Sequence, residues 1–152
     1  LSLCMEFLQI YLPRRVPSGV EEEVSEAVAA SAGQGLRILV VDDNVDGAEM
    51  LGTLLEMNGY QTTLAFNGED GLASALRVRP DVCLLDIGLP DIDGHELARR
   101  LRGMPETSGA MLVALTGYGQ VEDQQRARKA GFDHHLVKPA DLTKLLELLA
   151  TV

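Results

Sequence analysis

Four charged side chains and one hydroxyl occupy corresponding places in this sequence, each just beyond an apolar run. Asp42 and Asp43 follow 36–41, Asp86 follows 82–85, Thr116 follows 110–115, and Lys138, with Pro139 behind it, follows 133–137. Asp43, Asp86, Thr116 and Lys138 succeed one another at intervals of 43, 30 and 22 residues, which fit strand–helix–strand repeats. Singly, each has a plain explanation: a helix cap, a strand-ending acid, a turn, a surface lysine. Together they describe a site. Two carboxylates about 4 Å apart repel by roughly 1–4 kcal/mol depending on the effective dielectric, so something positive must sit among three of them. Oxygen ligands without cysteine or histidine suit a hard divalent ion such as Mg2+, held by one or two carboxylates and completed by water. Lys138 adds a fixed positive charge and Thr116 a hydrogen-bond donor. A carboxylate nucleophile, Mg2+, an ammonium and a hydroxyl suit an incoming phosphoryl group, whose three equatorial oxygens need neutralising, and the product is an aspartyl phosphate.

These residues converge only if the runs before them are neighbouring parallel strands. Residues 82–85 (Val-Cys-Leu-Leu) are apolar without polar alternation, as in a strand buried on both faces, and Gly88, Pro90 and Gly94 interrupt regular structure after it. Residues 36–41 read as a strand, and 44–58 as a helix with Ala48, Leu51, Leu54 and Leu55 on one face and Gly59 at its stop. A strand over 60–66 precedes a helix over 68–78 that ends at the approach of Pro80. A helix over 94–102 turns Leu97, Ala98 and Leu101 inward. The strand at 110–115 is followed by a helix at 120–130 with a thin inner face of Val121, Ala127 and Ala130. The last strand is 133–137, and the last helix, 142–150, turns Leu142, Leu145, Leu146 and Leu149 inward. Alternation of this kind predicts an α/β fold, a five-stranded parallel sheet covered on both faces in three layers. The doubly wound order 2-1-3-4-5 is the most economical, with chemistry at the carboxyl ends of the strands.

A chain of 152 residues, 46% hydrophobic and 24% charged, is long enough for one domain with a real core and a short extra segment. Its net charge of −10 argues against non-specific nucleic-acid binding and against attraction to anionic membranes. Cys4 and Cys83 are far apart and read as ordinary cytosolic thiols. No stretch approaches the roughly 20 apolar residues of a membrane helix, and residues 1–12 carry Glu6 and lack the basic start and cleavage site of a signal peptide. The expected location is the cytoplasm. The first residue is Leu1, which reads as part of a longer chain. Residues 7–12 have strand character, and 14–35 read as an acidic linker with Glu21, Glu22 and Glu23.

The set Asp42-Asp43, Asp86, Thr116 and Lys138-Pro139, with Leu89-Pro90-Asp91-Ile92-Asp93-Gly94 after the central acid, closely resembles the receiver domain of two-component response regulators, over about residues 36–150. The resemblance implies a flavodoxin-like fold in which Asp86 is the phosphate acceptor, Asp43 the main carboxylate ligand of Mg2+, and Asp42 a ligand through water. It also implies that the backbone carbonyl of Gly88 is the third protein ligand, Thr116 the switch hydroxyl, Lys138 the lysine that pairs with the phosphate, and the Lys138–Pro139 peptide cis. The implied partner is a phosphohistidine donor, either a histidine kinase or a phosphotransfer domain, with no nucleic-acid or membrane contact.

Some positions depart from that pattern. His135 stands where the family carries a switch aromatic, and Tyr118 is a candidate to replace it or to shield the phosphate from water. Gly88 leaves one side of the site open. His134 and His135 read as structural rather than as metal ligands, and Arg99, Arg100 and Arg102 as a solvated basic face. Residues 5–13 resemble the closing strand of a histidine-kinase ATP-binding domain, although Cys4 and Met5 stand where that family has glycine; the other reading is an appended tail. The first reading makes residues 36–152 the C-terminal receiver of a hybrid sensor kinase, with no ATP site of its own. A stand-alone single-domain regulator is the alternative. From another class, an aspartyl-nucleophile hydrolase would want a second acid where Gly88 stands.

Overall fold

The computed structural model describes residues 35–117 and 124–152, with the backbone alone at Gln124. The strand expected over 7–12, the linker up to Gln34, Tyr118 and Val121 lie outside the described residues. Ten elements alternate in the expected order: β1 (Arg37–Val41), α1 (Val45–Met57), β2 (Gln61–Ala65), α2 (Gly68–Val78), β3 (Val82–Asp86), α3 (Gly94–Arg102), β4 (Met111–Thr116), α4 (Gln124–Ala130), β5 (His134–Val137) and α5 (Leu142–Leu149). The strands form one parallel sheet in the order β2-β1-β3-β4-β5.

Successive side chains of a strand point to opposite faces, and here both faces are apolar. Leu39, Val41, Cys83, Leu85, Leu112 and Ala114 pack with Ala75, Leu97, Leu101, Ala127 and Phe132, so α2, α3 and α4 cover one face. Ile38, Val40, Val82, Leu84, Val113 and Leu115 pack with Ala48, Leu55, Leu145 and Leu149 under α1 and α5. Each fully buried leucine contributes about 1.5–3 kcal/mol relative to exposure. That double covering is why the central strands read as unbroken apolar runs.

Helix starts are fixed by side chains that accept from the first free N–H groups. Asn44 accepts from Gly47, Asn67 from Asp70, Asp93 from His95, and Asp141 from Thr143 and Lys144. Gly59 ends α1 with φ +93°, as its position predicts. Arg79 ends α2 with φ +50°, a left-handed conformation that few non-glycine residues adopt. The basic run on α3 splits. Arg99 and Arg100 are exposed and pair with Glu96, but Arg102 is not a solvated residue. Its guanidinium donates to the carbonyls of Gly131, Ser108 and Ala110 and to the Asp133 carboxylate, tying α3 to the turns around β4 and β5.

Candidate functional site

Parallel pairing puts Val41 beside Leu85, so the residues that follow β1 lie beside the end of β3. Asp42, Asp43 and Asp86 offer carboxylate oxygens that all lie within 4.8 Å of one another. Asp42 and Asp86 are buried, whereas Asp43 faces solvent. Lys138, just past β5, reaches across with Nζ 3.2 Å from Asp42 Oδ2 and 3.3 Å from Asp86 Oδ2. The Lys138–Pro139 peptide is cis.

Backbone groups aim the two buried acids. The Asn44 N–H donates to Asp42 Oδ1 at 3.0 Å, and the Gly88 N–H donates to Asp86 Oδ1 at 3.0 Å. This leaves Asp86 Oδ2 toward the ammonium. Gly94 permits the arrangement from behind, because a Cβ there would stand 2.7 Å from the Asp86 carbonyl oxygen and from Ile87 Cα. Thr116 is buried at the end of β4, its hydroxyl donating to the Leu136 carbonyl at 3.4 Å.

Burial pushes the Asp42 carboxyl above the ordinary aspartate range, and the neighbouring Asp86 adds to the rise. The Asn44 N–H and the Lys138 ammonium oppose it without cancelling it. For Lys138 the main effect, desolvation, lowers its pKa, but Asp86 and Asp42 together hold the ammonium above the usual lysine value. One ammonium therefore does not offset the cost of these acids, and an all-oxygen set this close suits a hard divalent cation. A cleft of about 440 Å³ between α1 and the turn after β5 opens onto Asp42 and Lys138, lined on its apolar side by Met50, Leu51 and Leu54.

The described residues thus bring together Asp42, Asp43, Asp86, Gly88 and Lys138, with Thr116 on the adjoining strand end. His134 and His135 are both exposed on β5 and stand outside the acidic group. Reasoning from sequence assigned no supporting role to three residues: Asn44, whose N–H holds Asp42; Asp93, which caps α3; and Asp91, noted only within the motif, which accepts from Gly68 and Glu69 at the start of α2. Asp93 had a signal in its spacing to Glu96, three residues on, as in a capping box. Asp91 had none, since its partners lie 23 and 22 residues earlier.

The pattern of the family described as the response regulator receiver domain matches residues 38–150. The chain belongs to that family. Among curated relatives, the receiver is 36% identical over 116 residues to the protein PilH of Pseudomonas aeruginosa, covering 76% of this chain and 96% of PilH. It is 36% identical over 110 residues to the DNA-binding transcriptional regulator RpaA of Synechocystis, covering 72% of this chain but 46% of RpaA. Among solved structures, a CheY-like response regulator receiver domain from Methanospirillum hungatei superposes with a TM-score of 0.70 at 31% identity, over 76% of this chain and 91% of that one. Among the described residues no helix is long and apolar enough to cross a membrane.

Proposed function

We propose that this receiver accepts a phosphoryl group from a phosphohistidine onto Asp86. The observation that carries the reading is the convergence of three carboxylates, two of them paired with the Lys138 ammonium, at the carboxyl ends of β1, β3 and β5. An oxygen of Asp86 attacks phosphorus in line with the leaving imidazole. The phosphorus–nitrogen bond breaks, and its electron pair returns to the ring nitrogen. Lys138 stands where it can neutralise an equatorial phosphoryl oxygen, and the Gly88 N–H keeps the carboxylate from rotating during attack. Asp43, Asp42 (through water), Asp86 and the Gly88 carbonyl would hold Mg2+, which when bound supplies divalent positive charge for the phosphoryl oxygens. Thr116 is the hydroxyl that would turn from the Leu136 carbonyl to the new phosphate, with His135 and Tyr118 the candidates to register the change.

The donor is a histidine kinase or a phosphotransfer domain, in a cytoplasmic setting. The span of residues 36–152 as the receiver unit is supported by the match at 38–150. Two contexts are consistent with such a unit. Residues 5–13 favour a hybrid sensor kinase, whereas coverage of 96% of PilH favours a small free-standing regulator. Incubation with acetyl phosphate and Mg2+ tests the chemistry. The expected result is a mass increase of one phosphoryl group that EDTA and Asp86→Asn each abolish; unchanged labelling of Asp86→Asn overturns the assignment.

A further inference from the structure

The segment 87–93 between β3 and α3 carries Gly88, whose N–H fixes one oxygen of Asp86. Segments of this kind are held by whatever their side chains can reach: the Ile87 N–H donates to the Leu115 carbonyl and Leu89 is buried in the core, while the hold on α2 comes from Asp91 and Ile92. Both oxygens of Asp91 are used on another element: Oδ1 accepts from the Gly68 N–H at 2.8 Å and Oδ2 from the Glu69 N–H at 3.0 Å. Oδ1 also accepts from the Ile92 N–H at 2.9 Å, and the Ile92 side chain lies over Gly68 so closely that a Cβ there would meet it at 2.8 Å. The opening N–H groups of α2 are thus divided between two caps. Asn67 takes that of Asp70 from within the helix's own approach, while Asp91 takes the two before it from across the molecule.

We propose that Asp91 is a positioning residue for Asp86. By seating residues 91 and 92 on the first turn of α2, it fixes the far end of the segment whose near end holds Asp86 Oδ1. Asp91 is exposed, and the α2 N–H groups draw its carboxyl below the ordinary aspartate range, which keeps the charged cap in place at neutral pH. The inference rests on the reading of Asp86 as phosphoacceptor.

The test compares Asp91→Ala with Asn67→Ala in the full chain. Both remove a cap from α2, but only the first frees the segment after β3. Two quantities are read: the rate of labelling by acetyl phosphate with Mg2+, and amide hydrogen exchange at Gly88. Displacements of about 1 Å can cost up to about 100-fold in rate. Asp91→Ala is accordingly expected to label at least about tenfold more slowly and to lose protection at Gly88, with Leu84 unchanged. Asn67→Ala is expected to keep the wild-type rate and the Gly88 protection. If Asp91→Ala lacks native circular dichroism, Asp91→Asn, which retains one acceptor oxygen, takes its place and is expected to fall between alanine and wild type. Wild-type rate and protection in the Asp91 variant overturn the inference, as does equal slowing in Asn67→Ala. A wild-type chain that takes no label at Asp86 refutes the phosphoacceptor reading instead, and Gly88 exchange then decides the anchoring by itself.

Discussion

Replacing Lys138 by methionine removes the one ammonium seated between two buried carboxylates while keeping a side chain of similar length. At an effective dielectric of about 20, a unit charge at 3.2–3.3 Å attracts each carboxylate by about 5 kcal/mol, and two carboxylates within 4.8 Å repel by at least about 3.5 kcal/mol. These gross terms overstate the net loss, because Lys138 is 28% exposed and water and protons relax the acids. Breaking a buried pair by removing one partner costs about 3–5 kcal/mol, and the partial exposure of Lys138 argues for the lower end. Such a loss is large against a total stability of about 5–15 kcal/mol. Urea unfolding followed by circular dichroism in EDTA measures it. Lys138→Met is expected to unfold at clearly lower urea at neutral pH. The deficit should shrink as acid protonates Asp42, whose pKa is already raised, and should shrink again when Mg2+ supplies another positive charge. For wild type the sign differs. The ammonium's pKa is raised, so its contribution is complete below the ordinary lysine value of 10.5 and is lost as pH rises through the higher folded value. An unchanged urea midpoint in Lys138→Met in EDTA at neutral pH would refute the electrostatic reasoning.

Gly94→Ala pushes a methyl into the backbone of Asp86 and Ile87 and is expected to cost about 1–3 kcal/mol. Gly109→Ala, with nothing within 4 Å of the new atom, should leave the urea midpoint nearly unchanged. Arg102→Ala strands three backbone carbonyls and Asp133 and is expected to lose about 2 kcal/mol, against no more than about 0.5 kcal/mol for the exposed Arg99→Ala; thermal melts compare the two. The α2 N–H groups hold the Asp91 carboxyl below its ordinary value of 3.8, so its stabilisation is complete above that pH and is lost as pH falls through the lower folded value. Asp91→Asn should therefore flatten the acid limb of a stability–pH curve, and an unaltered limb would contradict the cap.

The features legible in the sequence were those carried by local pattern. Strands buried on both faces cannot alternate, so Val82–Leu85 and the other apolar runs marked the sheet, and the residues directly after them marked the site. Gly59 was legible as a helix stop because glycine is the usual residue at positive φ. The missed features depend on distant partners. Arg102 lies in a run with Arg99 and Arg100 and has the same local spacing; only the return of Gly131 and Asp133, 29 and 31 residues later, makes it a half-buried clamp. His95 has the polar character of a helix start, yet it is buried, its ring standing perpendicular to that of Phe132 with centroids 5.9 Å apart. Leu76 fits an apolar helix pattern but is 49% exposed, while the inward face of α2 is made instead by Gly71, Ser74 and Ala75. Small residues let that helix lie close to the sheet, with Gly71 against Val41, and hydrophobicity alone does not reveal this.

The most direct test of Asp86 as phosphoacceptor is to locate the label chemically. Borohydride reduces an acyl phosphate but not a phosphate ester, so treating the labelled chain with borohydride, digesting it and sequencing the peptides by mass marks the residue that carried the phosphoryl group. Reduction at Asp86 alone, absent without Mg2+, is the expected result. Reduction at Asp42 or Asp43, or a label that survives borohydride on a serine or threonine, would contradict it.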